Sequence, residues 1–283
     1  MSVIQAIILG VVQAVTGFLP IGSSGNITIV SHIIGVDQLD LMFLCVLRLG
    51  TLVALALNFY PLLFRLAKET GGMCSDCVRK VRTSFGHNDE NVRVLSNNNR
   101  RFVFLLMISL IFTLIIGANI CTITEIMCGN LLATGMGLLV TALLLFVSSF
   151  MNENNKTAKE AKAVDAIIIG AFEGFSAFIG ISHIGMSFAS GIMSGFNSKF
   201  LKKYCYILSI CTIIAAFVFE GFHSGSFIPY AGLLPALIGF LVSAVLSTLI
   251  MRFAMRLLKR KNTFKFAIYC IAAGVLSMIL YLI

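Results

Sequence analysis

Gln13-Ala-Val-Thr-Gly17-Phe-Leu-Pro20-Ile-Gly22-Ser23-Ser24-Gly25-Asn26 interrupts an apolar run that resumes through Ile34. Pro20 and the paired glycines stop a helix, and Ser is a favoured first cap for the next one. The stretch reads as two half-helices meeting at a polar tip inside a membrane. The composition agrees. Of 283 residues, 58% are hydrophobic and 12% charged, and mean hydropathy is +0.98. Soluble domains carry about 25% charged residues, so this is an integral membrane protein. Its many separate apolar runs lack the period of two that barrel strands require, which leaves helices. The N-terminus has no basic n-region, so no cleavable signal peptide is expected.

Eight apolar units follow one another. Two are broken, 2–35 and 164–196. Single spans fit 40–59, 102–119, 130–150, 203–220, 228–251 and 264–283, each near the roughly 20 residues that cross a bilayer. The broken units are copies. A shift of 160 positions aligns Ala6-Ile-Ile-Leu-Gly10 with Ala166-Ile-Ile-Ile-Gly170, and Gln13 with Glu173. It also aligns Phe18, Ile21, Gly25 and Gly35 with Phe178, Ile181, Gly185 and Gly195. Chance identity in an Ile/Gly-rich chain would not also place the polar break at the same point. The expected architecture is one all-α membrane domain, 1–283. Its two repeats, 1–150 and 164–283, are each a re-entrant helical hairpin plus three transmembrane helices.

The net charge of +9 sits in a few short loops and is not a nucleic-acid footprint. The loops 60–101, 151–163, 197–202 and 252–265 hold nearly all Lys and Arg, including Arg79, Lys80, Arg82, Lys259, Arg260 and Lys261. Connections 36–39, 120–129 and 221–227 hold none. The positive-inside rule makes the first group cytoplasmic. Each broken unit then enters and leaves on one side, and three full spans per repeat make the repeats inverted. Broken helices in inverted repeats place a binding site where the breaks meet. Cys74-Ser-Asp-Cys77 is a lone C-x-x-C whose one nearby partner would be His87. Without a second pair it is weak support for a metal or redox site. The other cysteines sit mostly in apolar runs, where Cys behaves as a small hydrophobe.

A helix start preceded by Gly and Ser offers unpaired N–H groups to a phosphate or carboxylate, and Ser23, Ser24 and Ser182 add hydroxyls. The competing reading is that Ser only caps the half-helix. Ionisable groups within membrane segments are functional hypotheses by default. Glu173 could bind a metal, act as a base, or be held by hydroxyls. His183 sits at the second tip, as a reactive group or as a cap. Arg48, in mid-span, must face either Glu173 or a bound anion. His32 reads as interfacial, and Glu220 and His223 as span-boundary residues.

At this point the residues carry a resemblance. Leu9 to Asn26 resembles the first signature of the bacterial undecaprenyl-diphosphate phosphatase family, and Ile179-Gly-Ile-Ser182-His183-Ile-Gly185-Met-Ser187 is similar to the second. The resemblance implies an enzyme of the bacterial plasma membrane, with its site open to the outer face. That enzyme would use a divalent cation, Mg2+ or Ca2+, to dephosphorylate the polyprenyl diphosphate carrier for reuse in cell-wall synthesis. By this carry-over Ser23, His183 and Glu173 are the catalytic candidates. Ser24, Gly25, Asn26, Ser182, Gly185 and Arg48 would bind substrate, and Glu173 with Gln13 the metal. A homodimer is a further expectation.

The sequence departs from the family pattern at its chemical centre. Where the pattern has a pair of Glu four residues apart, this chain has Gln13 and Gly17. Where it has Ser-Ser-Thr-Gly-His, the chain reads Gly22-Ser-Ser-Gly-Asn26. The Arg of the second signature is His183, and the Gln before Leu-Gly in the next span is Arg48. Paired carboxylates hold the cation, His transfers protons, and Arg stabilises phosphoryl charge. Two readings follow. One is a divergent phosphatase with relocated chemistry; the other is a catalytically degenerate homologue that binds or translocates polyprenyl phosphate.

Overall fold

A computed structural model describes residues 1–36, 39–85, 97–151 and 155–283. Ten helices and no strand occur among the described residues. The first broken unit is α1 (Val3–Thr16) and α2 (Ser23–Ile33), and the second is α6 (Ala163–Phe175) and α7 (His183–Met193). The longest of the four, with 14 residues, reaches about 21 Å, short of the roughly 30 Å hydrocarbon core. Six helices are long and apolar enough to cross. They are α3 (Leu41–Phe85), α4 (Asn98–Ile126), α5 (Leu131–Phe150), α8 (Ser198–His223), α9 (Leu233–Leu257) and α10 (Arg260–Leu282). This is a multi-pass membrane protein. Its outward faces fit that solvent: Leu143 and Leu249 are 65% and 71% exposed, tolerable only where lipid replaces water.

Local chemistry explains both hairpins. At the start of α1, Ser2 and Gln5 cap one another's backbone N–H groups, a capping box. The Gln5 amide then donates to the Ile34 and Gly35 carbonyls at 3.0 and 3.1 Å, tying the entry of the hairpin to its exit. In the second hairpin Lys156 does this work. It bonds the Ser194 carbonyl (3.2 Å) and Asp165 (2.8 Å), and its own carbonyl accepts from Asn197 N–H. Gly35 and Gly195, aligned by the repeat, end α2 and α7 at φ +69° and +82°. Each lets the next N–H reach back to Ser31 or Gly191, a C-cap that disfavours any side chain.

Gly10 and Gly170, also aligned, mark the helix crossings. A Cβ on Gly10 would lie 2.7 Å from the Gly239 carbonyl of α9, and one on Gly170 would lie 2.3 Å from the Ser109 carbonyl of α4. So α1 packs on α9 as α6 packs on α4. The largest core cluster includes Phe18, Phe188, Tyr204 and Tyr206 and lies among α3, α6, α7 and α8.

Several boundaries differ from the sequence expectation. The span expected at 40–59 runs on to Phe85, so much of the stretch expected as loop 60–101 is helical, through Pro61. Arg100 at the start of α4 secures the extension by pairing with Glu69 (3.0 Å) and Asp76 (2.6 Å). The stretch 197–202 is largely helix too, because Asn197 caps α8 through Lys199 N–H. Likewise α9 runs on to Leu257 and α10 begins at Arg260. Cys74 is exposed; His87 and the side chains of Cys77, Lys80 and Arg82 lie outside the described residues.

Candidate functional site

The two polar tips touch. Gly22 and Gly180 both hold positive φ, 69° and 83°, and a Cβ on Gly22 would sit 2.4 Å from the Gly180 carbonyl. Only Gly allows both this backbone and this approach. The Gly180 N–H donates to Ser24 Oγ at 3.1 Å, so Ser24 joins one tip to the other. Ser182 caps α7 by accepting from Gly185 N–H (3.1 Å), and its own N–H donates to Thr141 Oγ1 (3.0 Å). Asn26 Nδ2 donates to the Ile21 and Gly22 carbonyls, both at 2.9 Å, and its Oδ1 accepts from the Tyr269 hydroxyl. Gly25 packs on Leu138 and Gly180. These residues hold the tips in register.

A different subset surrounds a cavity beside them. Gln13, Gly17, Ser23, Arg48, Thr51, His183 and Ser209 line a space of about 20 Å³, enough for about one water. Ser23 opens α2, whose Gly22 cap offers no side-chain bond; the helix start is left with free N–H groups. Arg48 is 8% exposed. Its guanidinium has no carboxylate partner among the described residues, because Glu173 is engaged elsewhere.

Glu173 Oε1 lies 3.5 Å from His183 Nδ1 and 3.4 Å from Thr212 Oγ1. Ser176 Oγ donates to the Glu173 carbonyl and also meets His183 Nδ1. A hydroxyl has one proton, so Ser176 accepts from Nδ1–H. That assigns the imidazole tautomer and leaves the Nε2 lone pair unprotonated. Nε2 is buried with no hydrogen-bond partner. His183 also lines a second, mostly apolar groove of about 80 Å³, with Glu173, Leu114, Ala215 and Phe219. The imidazole thus stands between a polar cavity and a groove suited to hydrocarbon.

The donor set does not fit a divalent cation. Such ions want several oxygen ligands, carboxylates foremost. Here Glu173 Oε2 and Gln13 Oε1 are buried and unbonded, but only one of them belongs to a carboxylate. Gly17 adds no side chain, and a Cβ there would lie 2.8 Å from Gln13 Nε2. No group of three or more His, Cys, Asp or Glu able to hold a metal occurs among the described residues.

Of the residues singled out from sequence, the fold brings Gln13, Ser23, Arg48 and His183 together, with Glu173 behind the histidine. Ser24, Gly25, Asn26, Ser182 and Gly185 support the tips. His32, Glu220 and Asp40 line a separate polar pocket at the far end of α8. Thr51, Ser176, Ser209 and Thr212 were not anticipated. Thr51 lies three residues after Arg48, on the same helical face, so its place was readable; nothing local marks Ser209.

The family model of bacitracin resistance protein BacA matches residues 6–276. The chain belongs to this family. It is similar to an undecaprenyl-diphosphatase of Methanosphaera stadtmanae, 31% identical over 280 residues, covering 99% of this chain and 98% of that protein. An undecaprenyl-diphosphatase of Alkaliphilus metalliredigens is 31% identical over 221 residues, 78% and 77% of the two chains. One from Desulforapulum autotrophicum is 28% identical over 282 residues, 99% and 98%.

Proposed function

We propose that the protein hydrolyses a polyprenyl diphosphate of the undecaprenyl class to the monophosphate and inorganic phosphate, returning a lipid carrier to use. One observation supports this beyond family membership: Arg48, buried in mid-span without a carboxylate partner among the described residues, lines the cavity that holds Ser23 and His183. An unpaired cation at that depth is costly, and a bound phosphate is its natural counter-ion.

In this reading Arg48, the Ser23 hydroxyl and the free N–H groups at the start of α2 hold the terminal phosphoryl oxygens. Water attacks the terminal phosphorus from the side of His183, whose Nε2 takes the water proton. The bond from phosphorus to the bridging oxygen breaks, and the lipid monophosphate leaves with the electron pair. Glu173 and Ser176 keep His183 in the tautomer that makes Nε2 the base, and the Glu173 carboxylate stabilises the imidazolium that forms. Arg48 carries the charge stabilisation, usually the largest catalytic term. The cavity is small, so the tip side chains must part to admit a diphosphate, and the apolar groove beside His183 receives the first part of the prenyl chain.

We also propose that the two halves, 1–150 and 164–283, are inverted repeats. The first hairpin closes beside Val36 and Asp40, at the Glu220 end of α8. The second closes at Asn197, beside the first turn of α8. Loop charge then puts the basic end in the cytoplasm of a plasma-membrane protein.

The test is phosphate release from undecaprenyl diphosphate by the purified protein in detergent. The expected result is release above a vector-only control, unchanged by EDTA and lowered at least about 100-fold in Arg48→Gln. Folded protein that binds the lipid saturably without releasing phosphate would reject hydrolysis in favour of a binding or translocating role.

A further inference from the structure

A seam runs between α4 and α8, and the groove beside His183 lies in it. Gly117, Ala118 and Cys121 of α4 line the groove from one side, Ala215, Ala216 and Phe219 of α8 from the other. Leu114, on its rim, is 42% exposed, so the groove opens towards lipid. At its inner end Glu173 is buried, with Oε2 unbonded. Among the described residues, polar contacts join α4 to α8 only beyond the two ends of the groove. At one end the Tyr204 hydroxyl donates to the Leu105 carbonyl (2.8 Å) and lies 2.6 Å from Ser109 Oγ. At the other, Glu125 Oε2 lies 3.2 Å from His223 Nε2, and Cys121 Sγ donates to Glu220 Oε2 at 3.8 Å. Glu125 is one turn beyond Cys121 and His223 one turn beyond Phe219, so both continue the faces that line the groove.

The two walls are held differently. Along α4, the Ser109, Thr113 and Thr124 hydroxyls donate to the Ala166, Gly170 and Ala177 carbonyls of the second hairpin, at 2.6, 2.9 and 3.0 Å. In α8 every residue from Tyr204 to Ile210 is buried, whereas none from Ile213 to Phe219 is. We propose that the Glu220 end of α8 is a gate that swings from α4 to admit the prenyl chain sideways from the bilayer, with Glu125 and His223 as its clasp. Exposed ion pairs are weak. Both partners here are 40% exposed, which suits a contact that must open at each turnover. Glu125 and Glu220 line one pocket just beyond the groove. Protonated His223 offsets the repulsion between these carboxylates; once it withdraws, that repulsion parts the helices. The proposal rests on the reading of the groove as the prenyl site and adds how the chain reaches it.

The experiment staples the clasp in the full-length protein. Glu125→Cys/His223→Cys is made in a Cys74→Ser/Cys77→Ser/Cys121→Ala/Cys128→Ala background and bridged with a short bifunctional methanethiosulfonate, which dithiothreitol removes. Stopped-flow polarisation in detergent then follows a fluorescent undecaprenyl phosphate, with phosphate release from undecaprenyl diphosphate measured in parallel. A closed gate should slow association and dissociation together, each at least about tenfold, with full recovery on reduction. The background without the two new cysteines should not respond to the reagent. His223→Ala, which opens the clasp without a staple, should speed both rates about two- to fivefold. Stapled binding as fast as reduced binding would overturn the proposal, as would faster dissociation, the mark of a damaged site. Unchanged rates in His223→Ala, or no saturable binding by the reduced protein, would overturn it as well. Staple-sensitive binding without any phosphate release would reject hydrolysis and leave the gate standing.

Discussion

His183 shows how much one side chain's neighbours decide. Its Nδ1 proton goes to Ser176 and its Nε2 is left bare in a buried site, so the residue is set up as a base. His183→Ala is expected to cut phosphate release about 100- to 10,000-fold. Ser176→Ala should cost less, because Glu173 still faces Nδ1, and its loss should fall on kcat with KM nearly unchanged. Steady-state kinetics on both variants checks this; equal losses would deny Ser176 its orienting role. Gln13 and Gly17 make the complementary case. Gln13→Glu/Gly17→Glu would put two carboxylates into the cavity lined by Arg48 and His183, after the Gln13 and Thr51 side chains give way. That variant is expected to acquire a divalent-cation requirement that the parent lacks, read as EDTA-sensitive phosphate release.

At the scale of elements, the two half-helix hairpins stand on close crossings. Gly170→Ala would press a methyl against the Ser109 backbone at 2.3 Å, where neither carbonyl nor helix can yield cheaply. A loss of about 1–3 kcal/mol is expected, measured by thermal unfolding in detergent. Gly71→Ala, in the exposed extension of α3, meets nothing within 4 Å. It should stabilise by about 0.5–1 kcal/mol, because Ala loses less backbone freedom than Gly in a helix. Opposite signs for two identical substitutions would show that crossing geometry, and not helix propensity, sets the requirement for Gly170.

For the whole molecule, the proposed orientation makes a prediction about access. Cys74 is exposed near the end of α3, about 50 Å along the helix from Leu41, farther than the roughly 30 Å hydrocarbon core. In a Cys77→Ser background, a membrane-impermeant maleimide should label Cys74 in inverted membrane vesicles and not in intact cells. A cysteine placed at Ser226, exposed at the opposite end, should label in cells. The reverse pattern would turn the molecule over and put the basic end outside.

The membrane class, the six spans and the two broken units were legible in the sequence, because each follows from local physics. Hydropathy marks where lipid replaces water, and Pro and Gly mark where a helix cannot continue. Gly10 and Gly170 are required by close helix crossings, and Gly35 and Gly195 by positive φ at helix ends. Helix ends such as Phe85 were not readable, because Arg100 stabilises the extension from a distant part of the chain. The assignment of partners was not readable either. Ser24, Asn26 and Ser182, expected from sequence to meet the substrate, accept from Gly180 N–H, the Tyr269 hydroxyl and Gly185 N–H. Arg48, which had two candidate partners, is left facing a cavity because Glu173 is taken by His183 and Thr212. A hydrogen bond in a membrane interior forms with whichever group packing brings within reach. Which hydroxyl lies near which tip depends on helices far apart in the chain. The local order of Pro, Gly and Ser was enough to require a polar break between two half-helices and a second break like it; which of its side chains face the cavity depends on how distant helices pack around it.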